Sequence, residues 1–285
     1  MAAWLNSFIN TQFHPFLDEA LMPLEFIDIG ANLTHASFSE DLPQVLKRAQ
    51  VQGVVSQIIT GVSLEGSEQA IKLCEEYAEY NLFATVGVHP HEARTFNTNT
   101  HMQLAELIQH PKVKAIGEMG LDNHRDYSTP VQQRYAFEQQ LELAANCQLP
   151  LFIHEREAYP ELYTLLKSCR SDVAEIVVHC FTGEQQALFN YLDLDCHIGI
   201  TGWICDERRG AHLYELVPNI PLHRLMIETD APYLIPRDFK KKPNNNRNEP
   251  QYLPHIAEKI ACCYQKPIAE IAQATTATAR KFFRI

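Results

Sequence analysis

At 285 residues the chain can bury a substantial core and suits one α/β barrel, which commonly needs about 250 residues; a second large domain is not expected. A net charge of −11 argues against a protein that coats nucleic acid by electrostatics alone, because phosphate binding draws on Lys and Arg to release counterions. No apolar stretch approaches the roughly 18 residues of a membrane span, and the dispersed cysteines lack CxxC spacing, so reduced thiols in a cytoplasmic enzyme are expected.

The first 24 residues lack a basic start and contain Asp18 and Glu19, unlike a signal peptide. Residues 1–24 are read as an extension that packs on a barrel floor, with Met22 as an alternative start, and residues 25–285 as one barrel domain. Strand-like runs follow at 26–30 and 54–60, with Leu42, Val45, Leu46 and Ala49 at helical spacing between them after Ser39. Ala70, Leu73, Cys74, Tyr77 and Ala78 give the next helix, then strands at 82–89 and 113–120. Thr129-Pro130-x-Gln132 reads as a capping box opening a helix through Phe137, Leu141, Ala144 and Ala145. Strands at 149–154, 175–179, 196–201 and 225–230 complete eight alternations, and helices from about Leu253 close the chain. This pattern specifies a (β/α)8 barrel better than an open doubly wound sheet, whose Gly-rich phosphate fingerprint is missing.

Four of these runs end in a metal-type ligand: Ala115-Ile116-Gly117-Glu118, Leu151-Phe152-Ile153-His154, Ile176-Val177-Val178-His179 and the run from Leu225 to Asp230. Carboxylates and neutral imidazoles at the carboxyl ends of barrel strands converge on one mouth, the constellation of a divalent-metal hydrolase. Asp28, Asn32, His89, His91, Asp122 and Arg156 stand at the same rim. Asp28 and His89 either orient ligands by hydrogen bonds or ligate directly, and His91 is placed to touch substrate. Cys180, next to His179, is read as packing, its side chain directed away from that histidine.

Seven motifs carry a further signal: Phe26-Ile27-Asp28-Ile29-Gly30-Ala31-Asn32-Leu33, Gly87-Val88-His89-Pro90-His91, Gly117-Glu118-Met119-Gly120-Leu121-Asp122, His154-Glu155-Arg156-Glu157-Ala158, His179-Cys180-Phe181-Thr182-Gly183, Gly199-Ile200-Thr201-Gly202-Trp203 and Glu228-Thr229-Asp230-Ala231-Pro232. In this order, and followed by Arg247-Asn248-Glu249-Pro250, they closely resemble the TatD family of metal-dependent deoxyribonucleases from about Glu25 to the C-terminus. The resemblance implies an amidohydrolase-type barrel that cleaves phosphodiester bonds with Mg²⁺, or with Mn²⁺ or Zn²⁺. Glu118, His154, His179 and Asp230 match the family's metal-site positions. Many relatives begin with Asp-x-His-x-His, whereas Gly30 and Asn32 stand here, so a second ion would be held weakly, with Asp28, Asn32 and His89 as its nearest candidates. A second departure, Glu155 and Glu157 flanking Arg156, bears on substrate contacts. The branch this chain is most similar to acts as an exonuclease from the 3′ end of single-stranded DNA or RNA, with a role in DNA repair or degradation.

In the expected mechanism Glu118, His154 and His179 hold the ion while Asp230 accepts the proton of the attacking water; if Asp230 is only a ligand, Glu118 or a phosphate oxygen takes that role. Arg156, Arg237, Arg247 and Lys240-Lys241-Lys242 would form a basic lip for phosphate, although a lysine run is as readily a solvated loop. His91 or Tyr233 would stack on a base, and Trp203 either does the same or seals the mouth. The rival is a metal hydrolase of a small amide, lactone or phosphate ester. A monomer is expected, since one barrel contains the whole site.

Overall fold

The computed structural model describes residues 23–125, 127–241, 243 and 246–285. Residues 1–22, including Met22, and Lys242, Asn244 and Asn245 of the basic loop lie outside the described residues. The elements run β1 (Phe26–Ala31), α1 (Leu42–Val51), β2 (Val54–Ile59), α2 (Leu64–Glu76), β3 (Leu82–Val86), α3 (Thr98–Leu107), β4 (Val113–Asp122), α4 (Pro130–Cys147), β5 (Leu151–Arg156), α5 (Tyr159–Cys169), β6 (Ile176–Val178), α6 (Gln185–Asp193), β7 (His197–Ile200), α7 (Leu213–Leu216), β8 (Leu225–Ile227), α8 (Leu253–Tyr264) and α9 (Ile268–Phe283).

The eight strands pair in parallel in sequence order. β8 returns to β1 through the bridge Ala31–Ala231 and the bond from Asp230 N to Gly30 O at 2.8 Å, so the sheet is a nearly closed (β/α)8 barrel. Both faces of the strands are covered, which is why they read as apolar runs instead of alternating ones. Ile27, Ile29, Ile58, Phe152, Val177 and Met226 fill the interior. Ala279, Phe282 and Phe283 of α9 join this cluster, and Thr276 and Arg280 hold Glu25 at the start of β1. Helix α9 therefore plugs the amino-terminal end, and the carboxyl ends of the strands are left as the open mouth. Among the described residues no helix is long and apolar enough to cross a membrane.

The boundaries differ from the sequence reading where the mouth begins. Strand β4 runs on to Asp122, whereas β6 stops at Val178 and β8 at Ile227, so His179, Glu228 and Asp230 stand just beyond their strands. Asp41, not Ser39, precedes the first turn of α1, and α2 ends at Glu76, before Tyr77 and Ala78. The capping box of Thr129 and Gln132 opens α4 as expected.

Candidate metal centre

Three imidazoles converge on one oxygen at the mouth. Glu118 Oε1 lies 2.7 Å from His179 Nε2, 2.8 Å from His154 Nδ1 and 3.3 Å from His89 Nε2. Ligand atoms of His89, Glu118 and His154 all fall within 4.8 Å of one another. Burial alone would raise the Glu118 carboxyl, but His179, His89 and His154 outweigh it and hold it well below the ordinary carboxylate range.

What stands behind each ring fixes what its inner nitrogen can do. His154 donates from Nε2 to Asp122 Oδ2 at 3.2 Å, and His179 donates from Nδ1 to Glu228 Oε2 at 3.4 Å. With the outer nitrogen protonated, the inner one, beside Glu118, is the nitrogen that can offer a lone pair to a cation, the carboxylate–histidine arrangement of ligated metals. Burial opposes charge on both rings, yet the adjoining carboxylates win and raise both above the ordinary histidine pKa. His89 is wired the other way round: its Nδ1 accepts the N–H of His91 at 3.0 Å, so the neutral ring carries its proton on Nε2, toward Glu118 and His154. Burial lowers its pKa to about 4 and keeps it neutral.

The supporting carboxylates are themselves tied down. Asp122 accepts His91 Nε2 at 2.8 Å on Oδ2 and the backbone N–H groups of His124 and Arg125 on Oδ1. With the bond from His154, these outweigh its burial and push its pKa well down. Glu228 is fully buried and takes the N–H of Cys180 at 2.5 Å on its other oxygen. The sequence reading quoted Glu228 in a motif and gave it no role. A Cβ at Gly30 would sit 2.4 Å from Glu228 Oε2, so glycine at this position leaves room for the carboxylate.

Asp230 enters from a different direction, with a left-handed φ of 54° beyond the end of β8. Like His179, it lies outside the close group of His89, Glu118 and His154, but unlike His179 it makes no hydrogen bond to Glu118 among those described. Asn32 Nδ2 donates to its Oδ1 at 2.9 Å, and burial followed by the neighbouring Glu118 and Glu228 raises its pKa to about 7 against the pull of His179. Cys180 also lines the cavity, contrary to the direction expected of it, because its φ of 46° turns it off the strand; its Sγ rests 3.6 Å from Thr201 Oγ1 and burial keeps the thiol protonated.

Other expected site residues sit elsewhere. Asp28 is fully buried, accepting the N–H and hydroxyl of Thr229 at 2.9 and 2.5 Å, so it fastens β1 to the segment after β8. Arg247 turns away from the cavity onto Asp41 and Glu249 and over the ring of Phe38. Arg237 pairs with Asp206 at 3.5 Å beside a separate, shallower cavity. Arg156 and His91 do line the main cavity, as does Arg125, which the sequence reading passed over. That cavity measures about 610 Å³, room for a nucleotide-sized ligand.

The donor set fits a divalent cation: one carboxylate between two imidazoles, each backed by a buried acid, with Asp230 and Asn32 lining the same cavity. A second group of ligand-type atoms, Cys205, Asp238 and His255, is already neutralised by Lys259 Nζ, 2.8 Å from Asp238.

The family model described as TatD related DNase matches residues 27–284. A protein of Edwardsiella piscicida named 3′-5′ ssDNA/RNA exonuclease TatD is 49% identical over 259 residues, 91% of this chain and 99% of its own. Among solved structures, a TatD family hydrolase of Entamoeba histolytica (28% identity, 92% of this chain and 99% of that one) and a TatD homologue of Escherichia coli (28% identity, 93% and 100%) each superpose with a TM-score of 0.84.

Proposed function

Because the chain belongs to the TatD related DNase family, we propose that it is a divalent-metal-dependent 3′–5′ exonuclease of single-stranded DNA and RNA, with Mg²⁺ as the working ion. The observation that carries the reading is Glu118 set between His154 and His179, each ring oriented from behind by Asp122 or Glu228, at the floor of an open cavity. The complete site within one chain supports a monomer, and removal of loose single strands suits a role in DNA repair or degradation in the cytoplasm.

Glu118, His154 and His179 would hold the ion, which when bound supplies positive charge to the phosphoryl oxygen and makes water easier to deprotonate. His89, with its proton on the inner nitrogen, is a hydrogen-bond donor toward this cluster and orients it. Asp230 has one oxygen fixed by Asn32 and the other unengaged by that bond, and serves as acceptor for the proton of the attacking water. Arg156 and Arg125 at the cavity wall hold the substrate phosphate. His91, bonded to Asp122 and stacked edge-on to Tyr127 at 4.8 Å, relays the position of the wall to the His154 side of the centre.

The test is digestion of a strand labelled at its 5′ end, with Mg²⁺ or with EDTA, beside His154→Ala. A ladder that shortens from the 3′ end, lost in EDTA and in the variant, supports the reading. Cleavage that survives both rejects the centre, and inertness toward every nucleic acid with turnover of a small ester replaces the reading with a small-molecule hydrolase.

A further inference from the structure

Beyond β7 the chain makes a 3-10 turn, Gly202–Cys205, that carries Trp203 to the edge of the main cavity. The indole is held from several sides. Its backbone N–H donates to Thr201 Oγ1 at 3.2 Å, its Nε1 donates to the carbonyl of Arg209 at 3.3 Å, and the Arg209 guanidinium lies 4.5 Å above the ring. Gly210 allows this fold-back, because a Cβ there would lie 2.1 Å from the Trp203 carbonyl. One buried carboxylate, Asp206, gathers the surrounding arginines: Arg209 at 3.0 Å, Arg237 at 3.5 Å and Arg208 at 3.6 Å. Their side chains remain 43–72% exposed, so the acid fixes them without hiding them. Burial alone would raise Asp206, but Arg209 and the Arg208 N–H hold it below the ordinary range, and the loop stays charged on both sides.

Arg237, expected at the active-site lip, thereby belongs to this loop. Trp203 is half-buried against the core, and a second ring lining the same cavity, Tyr233, is 51% exposed and packed edge-on to His35 at 5.7 Å. Apolar side chains at the rim cannot serve the hydrolytic centre, which already has its ligands and acceptor. An ordered indole with a guanidinium stacked on it, three arginines and a tyrosine lining the same cavity are the parts that hold an unstacked base and its flanking phosphates.

We infer that the Trp203–Arg209 stack, steadied by Asp206, is a base-stacking platform at the rim of the cleavage cavity that positions the single strand entering it. The inference rests on the nuclease reading and names the surface by which that site holds strands longer than the nucleotide being cut. The platform takes any base, since every base has a face, and it requires that base to be out of the duplex.

The test is steady-state digestion by the Mg²⁺-loaded enzyme of unlabelled twelve-residue deoxythymidine strands, comparing Trp203→Ala and Trp203→Phe. Trp203→Ala is expected to raise KM about five- to a hundredfold, the loss of one stacked base, with kcat little changed, and Trp203→Phe to restore most of it. The chain has two tryptophans, so a Trp4→Phe background leaves Trp203 as the reporter. Its fluorescence should be quenched saturably by a phosphorothioate-linked strand whose binding is followed separately by anisotropy. Unchanged KM in Trp203→Ala, or a strand that binds while the fluorescence of Trp203 stays constant, overturns the platform and leaves the nuclease reading standing. Equal loss of kcat in the Ala and Phe variants reduces the ring to a structural seal and also overturns it. A wild-type enzyme that neither binds nor cuts any nucleic acid removes the nuclease reading itself.

Discussion

Each histidine of the centre is defined by its far nitrogen. His154 and His179 point a usable nitrogen at Glu118 because Asp122 and Glu228 hold the opposite one, whereas His89 has that bond reversed. Exchanging Glu228 for Gln keeps the shape and removes the charge that sets the tautomer; Glu228→Gln should weaken Mn²⁺ binding by about 10–100-fold in calorimetry, and an unchanged affinity would deny Glu228 that task. Both rings are also raised above the ordinary histidine pKa, so in the empty protein they hold protons that the ion must replace. Metal uptake should therefore release protons, and its affinity should fall as pH drops below the raised values of these rings; calorimetry in buffers of different ionisation heat reads the proton count directly. Glu118, His154 and His179, which the structure brings together, were legible in the sequence because each ends an apolar run. Glu228 directly follows such a run too, but which of Glu228 and Asp230 turns in behind His179 was not legible, since alternation along a strand says nothing once the chain leaves β8 at Ile227 and turns through a left-handed Asp230.

The elements around the mouth are locked by buried amides that no periodicity announces. On α4, Gln140 accepts the N–H of Val88 at 2.7 Å and donates to its carbonyl at 3.1 Å, beside His89. Two turns earlier on the same face, toward the mouth, Gln133 does the same for Asp122, at 2.9 and 3.0 Å. The capping box at Thr129 sets the start of this helix, and with it the register that puts both glutamines behind strand ends. Gln140→Leu would leave the Val88 N–H and carbonyl without partners, a cost of about 1–3 kcal/mol, and a retained melting temperature would show that they find others. Glycine is equally constrained at position 30: Gly30→Ala drives a methyl to 2.4 Å from Glu228, and overpacking of about 1–3 kcal/mol together with weakened metal binding is expected. The sequence placed the helices well where apolar spacing was strong, as in α1 and α4. It could not show that polar glutamines within the helical stripe face inward.

Over the whole molecule, the chain must join its last strand to its first, and the polar residues at that seam explain why Arg247 was misplaced by the sequence reading. Arg247 and Arg48 share Asp41 and Glu249, so the loop after β8 is fastened to α1 across the seam. A loop rich in Lys and Arg looked like a lip for phosphate; the acids that claim this arginine lie next to it at 249 and far away at 41. Arg247→Ala should lower the melting temperature by roughly 2–4 °C, the shift that about 1 kcal/mol makes in a chain of this size, and leave KM for strands unchanged. Asp41 is held below its ordinary pKa chiefly by Arg247, so this stabilisation is present above about pH 4 and is lost as pH falls through the lowered value. The variant should accordingly show a flatter acid limb in melting temperature, and an acid limb as steep as the wild type's would contradict the pairing. The barrel itself was readable from eight alternations because buried parallel strands are apolar throughout; the partners across its seam were not, since they depend on closure.

The most direct measurement is anomalous scattering from crystals soaked in Mn²⁺. The account predicts a peak within bonding distance of Glu118, His154 and His179, absent in His154→Ala crystals. A metal-dependent enzyme whose peak lies away from these three side chains, for instance at Cys205, Asp238 and His255, would contradict it.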